Sequence, residues 1–216
     1  MRAYQNVDGG FTFGVHEYDI AKTTAIKAGQ VVKLSEGLVV AATAAETGAI
    51  LGVAKENHSG AEDAINTRSN GTKIIVYDDP GMIMRCKAPV MAATSGSATT
   101  FVSTDLATLA DDDLNGGYIV LVEKGASSTN TDEIGSVRRI TDFTATSKTI
   151  TTASGGTICE GDKYMIFPPL MFAKGNFDAG IQALVLTATA ALPVKVVQID
   201  LVHGEIGLVA KSHALR

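Results

Sequence analysis

The side chains that could carry out chemistry are few and lie far apart in the sequence. Four histidines are scattered along the chain: His16, His58, His203 and His213. The two cysteines, Cys86 and Cys159, have no Cys-x-x-Cys partner, whereas zinc sites need three or four such ligands at close spacing. The sequence therefore predicts no metal site. Both cysteines are interpreted as buried, apolar-like side chains of a protein made in a reducing cytosol.

Two charged clusters remain as candidates for binding chemistry. Residues 111–113 are three consecutive aspartates, but the alternating oxygen ligands, the glycine and the distal glutamate of a calcium loop are missing. We interpret them as the solvated end of a helix. Arg138 and Arg139 could bind a carboxylate or a phosphate. Neighbouring residues of a strand point to opposite faces, however, which favours an ordinary outward ion pair.

The common catalytic motifs are absent from the sequence. There is no Gly-x-Ser-x-Gly nucleophile turn, no glycine-rich loop followed by a phosphate-binding lysine, no dinucleotide loop and no His-Glu-x-x-His. The sequence thus predicts a protein that is not an enzyme and that has no cofactor, no cofactor-binding residue and no catalytic residue.

Length and composition limit the remaining classes of protein. A chain of 216 residues forms one large domain or two small ones. The apolar fraction of 45% and the charged fraction of 19% exclude a fully disordered chain. A net charge of −5 gives no basic footprint for nucleic acid. We expect no membrane span, since no apolar run approaches about 18 residues, and the first residues lack the apolar segment of a signal peptide.

Short β-branched runs separated by turn residues predict an all-β fold. Residues 31–34 and 38–41 form a hairpin around Gly37, and Gly52 in the next strand indicates a bulge or a close backbone approach. Further strands are predicted at these ranges: 72–77, 82–87, 118–122, 137–143, 149–152, 163–167, 183–186, 194–199 and 206–209. The spacing of Leu106, Leu109 and Leu114 predicts one short helix over 105–110.

The N-terminal 21 residues differ from the rest of the chain. Four of the chain's twelve aromatic residues (seven Phe and five Tyr) lie there among glycines, without helical spacing: Tyr4, Phe11, Phe13 and Tyr18. One interpretation is a strand that packs on its own domain. The other is an extended arm that docks these aromatics on a neighbouring subunit or capsid partner, because aromatic side chains dominate interface energies.

The predicted organisation has three parts. Residues 1–21 are the extended N-terminal arm, 22–104 the first β domain, and 105–216 a second β-rich domain whose last strands could return to the first.

Three short motifs resemble the phage head decoration, or capsid cement, family. They are residues 27–34 (KAGQVVKL), 37–41 (GLVVA) and 50–54 (ILGVA), followed by a loop and a strand near 74–77. Residues 135–167 resemble a hairpin unit that recurs in phage virion proteins. The resemblance implies a small β-barrel or β-tulip-like decoration domain on the outer capsid surface, often present as a trimer at a three-fold position.

The function expected from this resemblance is structural. The chain would bind the major capsid protein, bridge its neighbouring subunits and associate with itself as a homotrimer on the virion, with no nucleic-acid or membrane partner. One alternative is a tail-tube or head–tail joining protein, which would assemble as a six-fold or twelve-fold ring. Another is an enzyme or carbohydrate-binding module on a β scaffold, which the absence of tryptophan disfavours.

Overall fold

The fold is described by a computed structural model that covers residues 2–6, 14–43, 48–60, 72–106, 109–173, 176–178, 183–186, 194–211 and 213–215. These residues form β-strands and contain no helix, which confirms the all-β prediction. In chain order the strands are β1 (Arg2–Asn6), β2 (Val15–Asp19), β3 (Val31–Ser35), β4 (Leu38–Ala41), β5 (Gly52–Ala54), β6 (Lys73–Tyr77), β7 (Met82–Lys87), β8 (Val90–Ala92), β9 (Ser95–Gly96), β10 (Thr100–Val102), β11 (Tyr118–Glu123), β12 (Val137–Thr144), β13 (Thr149–Thr152), β14 (Lys163–Phe167), β15 (Asn176–Asp178), β16 (Ala183–Val185), β17 (Val194–Asp200) and β18 (Glu205–Ala210).

A five-stranded antiparallel sheet has the strand order β2-β6-β5-β3-β4. The predicted hairpin is its β3–β4 pair, with left-handed backbone at Glu36 and Gly37 (φ 52° and 82°). The sheet curls until its two edges meet at a single parallel bridge between Ile20 and Val39. It encloses a small separate core but does not close into a barrel, and the other described sheets are not closed either.

Gly52 of β5 confirms the predicted close backbone approach. A Cβ atom at this position would lie 1.9 Å from the carbonyl oxygen of Tyr77. Only a residue without a side chain allows β5 to lie this close to the end of β6.

A seven-stranded antiparallel sheet has the order β8-β14-β11-β12-β13-β10-β9. The second predicted hairpin, β12–β13, lies in it. One face buries the main core, where the rings of Phe101 and Tyr164 meet edge to face at 5.4 Å. On β12 the buried Arg138 and Ile140 alternate with the exposed Val137 and Arg139.

The third sheet joins distant parts of the chain. Its order is β1-β7-β18-β17, so the C-terminal hairpin β17–β18 pairs with β7 from the first half of the sequence. The strands β8–β10 belong to the seven-stranded sheet, so the predicted boundary between residues 104 and 105 falls within that sheet. A two-stranded ribbon, β15–β16, completes the described strands. The main core receives side chains from all three sheets.

The helix predicted over 105–110 is wrong for the described residues of that stretch. They are turn and irregular backbone, and Asp113 accepts a hydrogen bond from the Ala110 amide at 2.8 Å. Short acidic side chains bond nearby amides and favour turns over helix. Leu106, Leu109 and Leu114 are nevertheless buried, as their spacing indicated.

The predicted N-terminal arm contains two strands of the chain's own sheets in its described part. β1 pairs with β7, and β2 pairs with β6. This arrangement agrees with the first of the two interpretations for residues 2–6 and 15–19. In the part of the chain that the structure describes, we find no helix long and apolar enough to span a membrane.

Candidate docking surface

Polar residues beside the main core connect several loops through hydrogen bonds. Asp162 is fully buried and accepts hydrogen bonds from the amides of Gly125 (2.9 Å) and Cys159 (3.0 Å) and from the Asn130 side chain (3.0 Å). Burial raises the pKa of Asp162, but hydrogen bonds from the Ser128 and Asn130 side chains and from the two amides outweigh it and leave the pKa below the ordinary value. Asn130 also donates to the Tyr164 hydroxyl at 2.8 Å. The carboxylate is therefore ionised, and the Gly125, Cys159 and Asn130 donors occupy both of its oxygens.

Arg138 corrects the prediction of an outward ion pair. Its side chain is buried, forms an ion pair with Asp132 and donates to the carbonyl of Ala98 at 3.0 Å. Burial alone would raise the pKa of Asp132, but the Gly156 amide and the Arg138 guanidinium lower it. Arg139 is exposed on the opposite face, as the alternation of strand residues predicted.

The three aspartates at 111–113 lie in a turn, which corrects their assignment to a helix end. Asp111 accepts a hydrogen bond from the Ala145 amide (2.7 Å), and Asp112 accepts one from the Asn115 side chain (2.6 Å). Asp112 has left-handed backbone, with φ 66°. These carboxylates use their oxygens to hold the turn.

The two cysteines have different environments. Cys86 is buried, and burial raises the pKa of its thiol to about 12, in agreement with an apolar-like role. Cys159 is only half-buried, contrary to the prediction. The hydroxyl and amide of Thr129, each 3.4 Å from its sulfur, lower its pKa. Within the described ranges, no three His, Cys, Asp or Glu side chains are grouped as a metal site would require.

The four predicted contact residues are not brought together by the described structure. Tyr4 lies in β1, where only the backbone is described, and Phe11 and Phe13 lie outside the described residues. Tyr18 of β2 packs on the small core, and its hydroxyl donates to Asp78. Burial, followed by the Asp78 carboxylate, raises the pKa of Tyr18. Their contact with a partner stays a prediction.

One open apolar feature is a groove beside strand β17, here called the first groove. It has a volume of about 570 Å³ and lies where β17 faces β11 and the loop after β14. The groove is lined chiefly by apolar side chains: Tyr118, Leu170, Val197, Ile199 and Leu201. One polar side chain, Gln198, also lines it, and its buried Oε1 has no hydrogen-bond partner among the described residues.

A second groove of about 380 Å³ shares Leu201 with the first. Its walls are again mostly apolar: Val120, Val122, Ile134, Met165 and Val202. Ile134 is 65% exposed and Val202 is 89% exposed. Scattered apolar residues are normal on a protein surface, but a contiguous apolar patch marks an interaction site. The two grooves together form the candidate docking surface.

Charged groups fix the hairpin turn that carries Leu201 and Val202. Asp200 accepts hydrogen bonds from the amide of His203 (3.0 Å) and from its ring nitrogen Nδ1 (2.9 Å), and these interactions lower the pKa of Asp200. Arg85 contacts Asp200 at 3.4 Å and Glu205 at 3.5 Å. These contacts brace the exposed apolar turn, and a braced turn costs a partner less conformational entropy on binding.

Sequence reasoning missed this surface because its residues come from distant segments. One local signal was available: Val202 and Leu170 are apolar residues in turn segments, where polar residues and glycine usually occur.

Comparison of the chain with protein-family models, with curated proteins and with solved structures finds no match.

Proposed function

We propose that the chain is a structural protein of a bacteriophage virion, which binds the outer surface of the capsid and bridges neighbouring major capsid protein subunits. The observation that carries this proposal is the docking surface formed by the two grooves. Five exposed large apolar side chains lie at or beside it: Ile134, Val137, Leu170, Met171 and Val202. Burying such side chains stabilises association by about 25 cal/mol per Å² of apolar area before the entropic costs.

The resemblance to decoration proteins gives independent support. Its three motifs lie in the curled five-stranded sheet, as β3, β4 and β5. The polar clusters of the main core support the same class of function, because the carboxylates of Asp132 and Asp162 are engaged in internal hydrogen bonds. A structural binder needs complementary surface and gains affinity by spanning several subunits.

The proposal includes association of three copies on the capsid. Closed cyclic assembly covers exposed sheet edges and apolar surface without open-ended growth. A ring of six or twelve copies at the tail vertex would instead indicate the tail-tube or head–tail joining role.

The test uses virus particles assembled from the genome that encodes the chain. Electron microscopy of these particles should place the chain on the outer capsid surface, in groups of three. Purified protein should co-sediment with particles that lack it. Val202→Asp and Leu170→Asp should reduce this binding by at least about tenfold, because each puts a charge into an apolar contact.

Leu38→Asp is the matched control. Leu38 is also apolar and is 37% exposed, but it lies on β4 of the five-stranded sheet, outside both grooves. Its variant should bind like the wild type. Absence of the chain from the capsid surface contradicts the proposed function. Equal binding by all variants contradicts the assignment of the two grooves as the docking surface.

A further inference from the structure

Strand β17 is an edge strand that already accepts backbone pairing on its outer side. In the described sheet it pairs with β18 alone. Val196 uses both its backbone groups on the outer side: its carbonyl accepts from the Met171 amide at 2.7 Å, and its amide donates to Phe172 at 2.9 Å. At Val196 this outer edge is therefore occupied by residues 171–172 of the chain itself, and only positions beyond Val196 can take an added segment.

The register identifies the next outward residue along this edge. A register shift lies between Val196 and Gln198, and Ile199 then stands opposite Ile206. Inward and outward backbone groups alternate along an antiparallel strand, and a bulge inserts one extra residue. Ile199 is therefore the next residue with its N–H and C=O on the outer edge. The first groove runs beside it and is also lined by Gln198.

One cation stands beside a wall residue of the first groove, and a second lies on strand β17 itself. Arg139 is exposed and stands opposite Tyr118 in the β11–β12 pair, so both side chains share one face. Lys195 lies two residues before Val197 on β17. Neither cation has a carboxylate within salt-bridge distance in the described part of the chain. The apolar walls fit apolar side chains, and the two cations complement a carboxylate.

We propose that the first groove binds an extended segment of another protein, which adds as a strand to the outer edge of β17 at Ile199. Alternate side chains of this segment enter the apolar groove between Tyr118, Leu170 and Leu201. A carboxylate of the segment pairs with Arg139 or Lys195. Main-chain hydrogen bonds supply affinity in this mode of recognition, and the side-chain pockets supply specificity.

The inference concerns a mode of binding and does not depend on the virion role. Its test uses a library of random linear twelve-residue peptides, selected against the full-length protein. The selected peptides should alternate apolar residues and contain at least one Asp or Glu. Their affinities are then compared across variants whose folding is checked by circular dichroism and thermal unfolding.

Ile199→Pro is the central variant, because proline lacks the N–H that an added strand needs, yet is tolerated at the outward positions of edge strands. It should weaken peptide binding by about tenfold, since it leaves a partner carbonyl unpaired. Ile199→Val keeps the N–H and should bind within about twofold of the wild type. Leu170→Asp and Arg139→Glu, each made in the wild-type background, should also weaken binding, and Leu38→Asp should leave it unchanged.

The strand-addition proposal is overturned if no peptide is enriched. It is equally overturned if folded Ile199→Pro binds as tightly as the wild type. If Ile199→Pro does not fold, Leu170→Asp and Arg139→Glu test the groove instead, because both positions are exposed. If both variants bind the peptides as tightly as the wild type, the groove is not the binding site. The peptide experiment uses no virus particle, so a negative result in it leaves the capsid-binding test unaffected. A negative capsid-binding result likewise leaves the peptide experiment unaffected.

Discussion

At the scale of single residues, two carboxylates hold the loops around the seven-stranded sheet. Asp162 links the segments that contain Gly125, Asn130 and Cys159, and Asp132 links Arg138 to Gly156. Hydrogen bonds outweigh burial at both residues and lower their pKa values, so both are charged at neutral pH. Removing one such acceptor leaves several buried donors without a partner.

We expect Asp162→Asn to lower the free energy of unfolding by about 2–4 kcal/mol, because the amide nitrogen cannot accept the hydrogen bonds that one carboxylate oxygen now accepts. Urea denaturation followed by circular dichroism measures this loss. Asp142→Asn is the control, since Asp142 is exposed on β12, and it should change stability by less than about 0.5 kcal/mol. Equal stabilities of the two variants would show that the buried network contributes nothing.

The same two aspartates predict a loss of stability in acid. A carboxyl whose pKa is lower in the folded state binds more protons in the unfolded state, so unfolding becomes easier as the pH falls. The contribution is complete above the ordinary Asp value of 3.8 and is lost as the pH falls through the lower folded values. Melting temperatures measured from pH 7 to pH 2 should drop in this acidic range. Asp132→Asn should flatten the drop, and an unchanged profile would contradict the assignment.

At the scale of elements, the hairpins β3–β4 and β12–β13 were predictable because their signals are local. Each combines β-branched runs with a short turn, and Glu36 and Gly37 provide the left-handed backbone that the first turn needs. The strands β8–β10 were not predicted. The residues around β9 are small and hydroxylated, and β10 and β8 are held by pairing with β13 and β14, which lie about 50 and about 70 residues later in the chain.

The close approach of β5 to β6 at Gly52, which the structure confirms, can be tested by substitution. Gly52→Ala should lower the free energy of unfolding by about 3 kcal/mol, because its Cβ would overlap the carbonyl oxygen of Tyr77 and push β5 away from β6. Thermal or urea unfolding measures the change. Gly37→Asn is the matched control: no atom lies within 4 Å of a Cβ there, and Asn tolerates left-handed backbone. A loss at Gly52 no larger than at Gly37 would refute the close-contact explanation.

At the scale of the whole molecule, sequence reasoning could not find how the sheets are assembled. β7 pairs with β18 about 120 residues later, and no local pattern specifies such a partner. The docking surface depends on this pairing, because the hairpin β17–β18 places Leu201 beside β11 and β14. The aromatic spacing that directed attention to residues 1–21 is local, whereas the grooves combine residues from 116 to 204.

This assembly predicts that residues 22–104 do not fold alone. Such a fragment lacks β2, the edge partner of β6, and β18, a partner of β7. It also lacks β13 and β14, which pair with β10 and β8. Unpaired strands expose backbone groups and apolar side chains, so the fragment should show no dispersed amide resonances and should aggregate. The full chain should unfold in a single cooperative transition, since all three sheets contribute side chains to the main core. Mixing this fragment with a second fragment of residues 105–216 should not restore the fold, because neither fragment contains β2. Complementation should require a first fragment that begins at residue 1. A fragment of residues 22–104 with a native-like spectrum and its own unfolding transition would instead support two independent domains divided after residue 104.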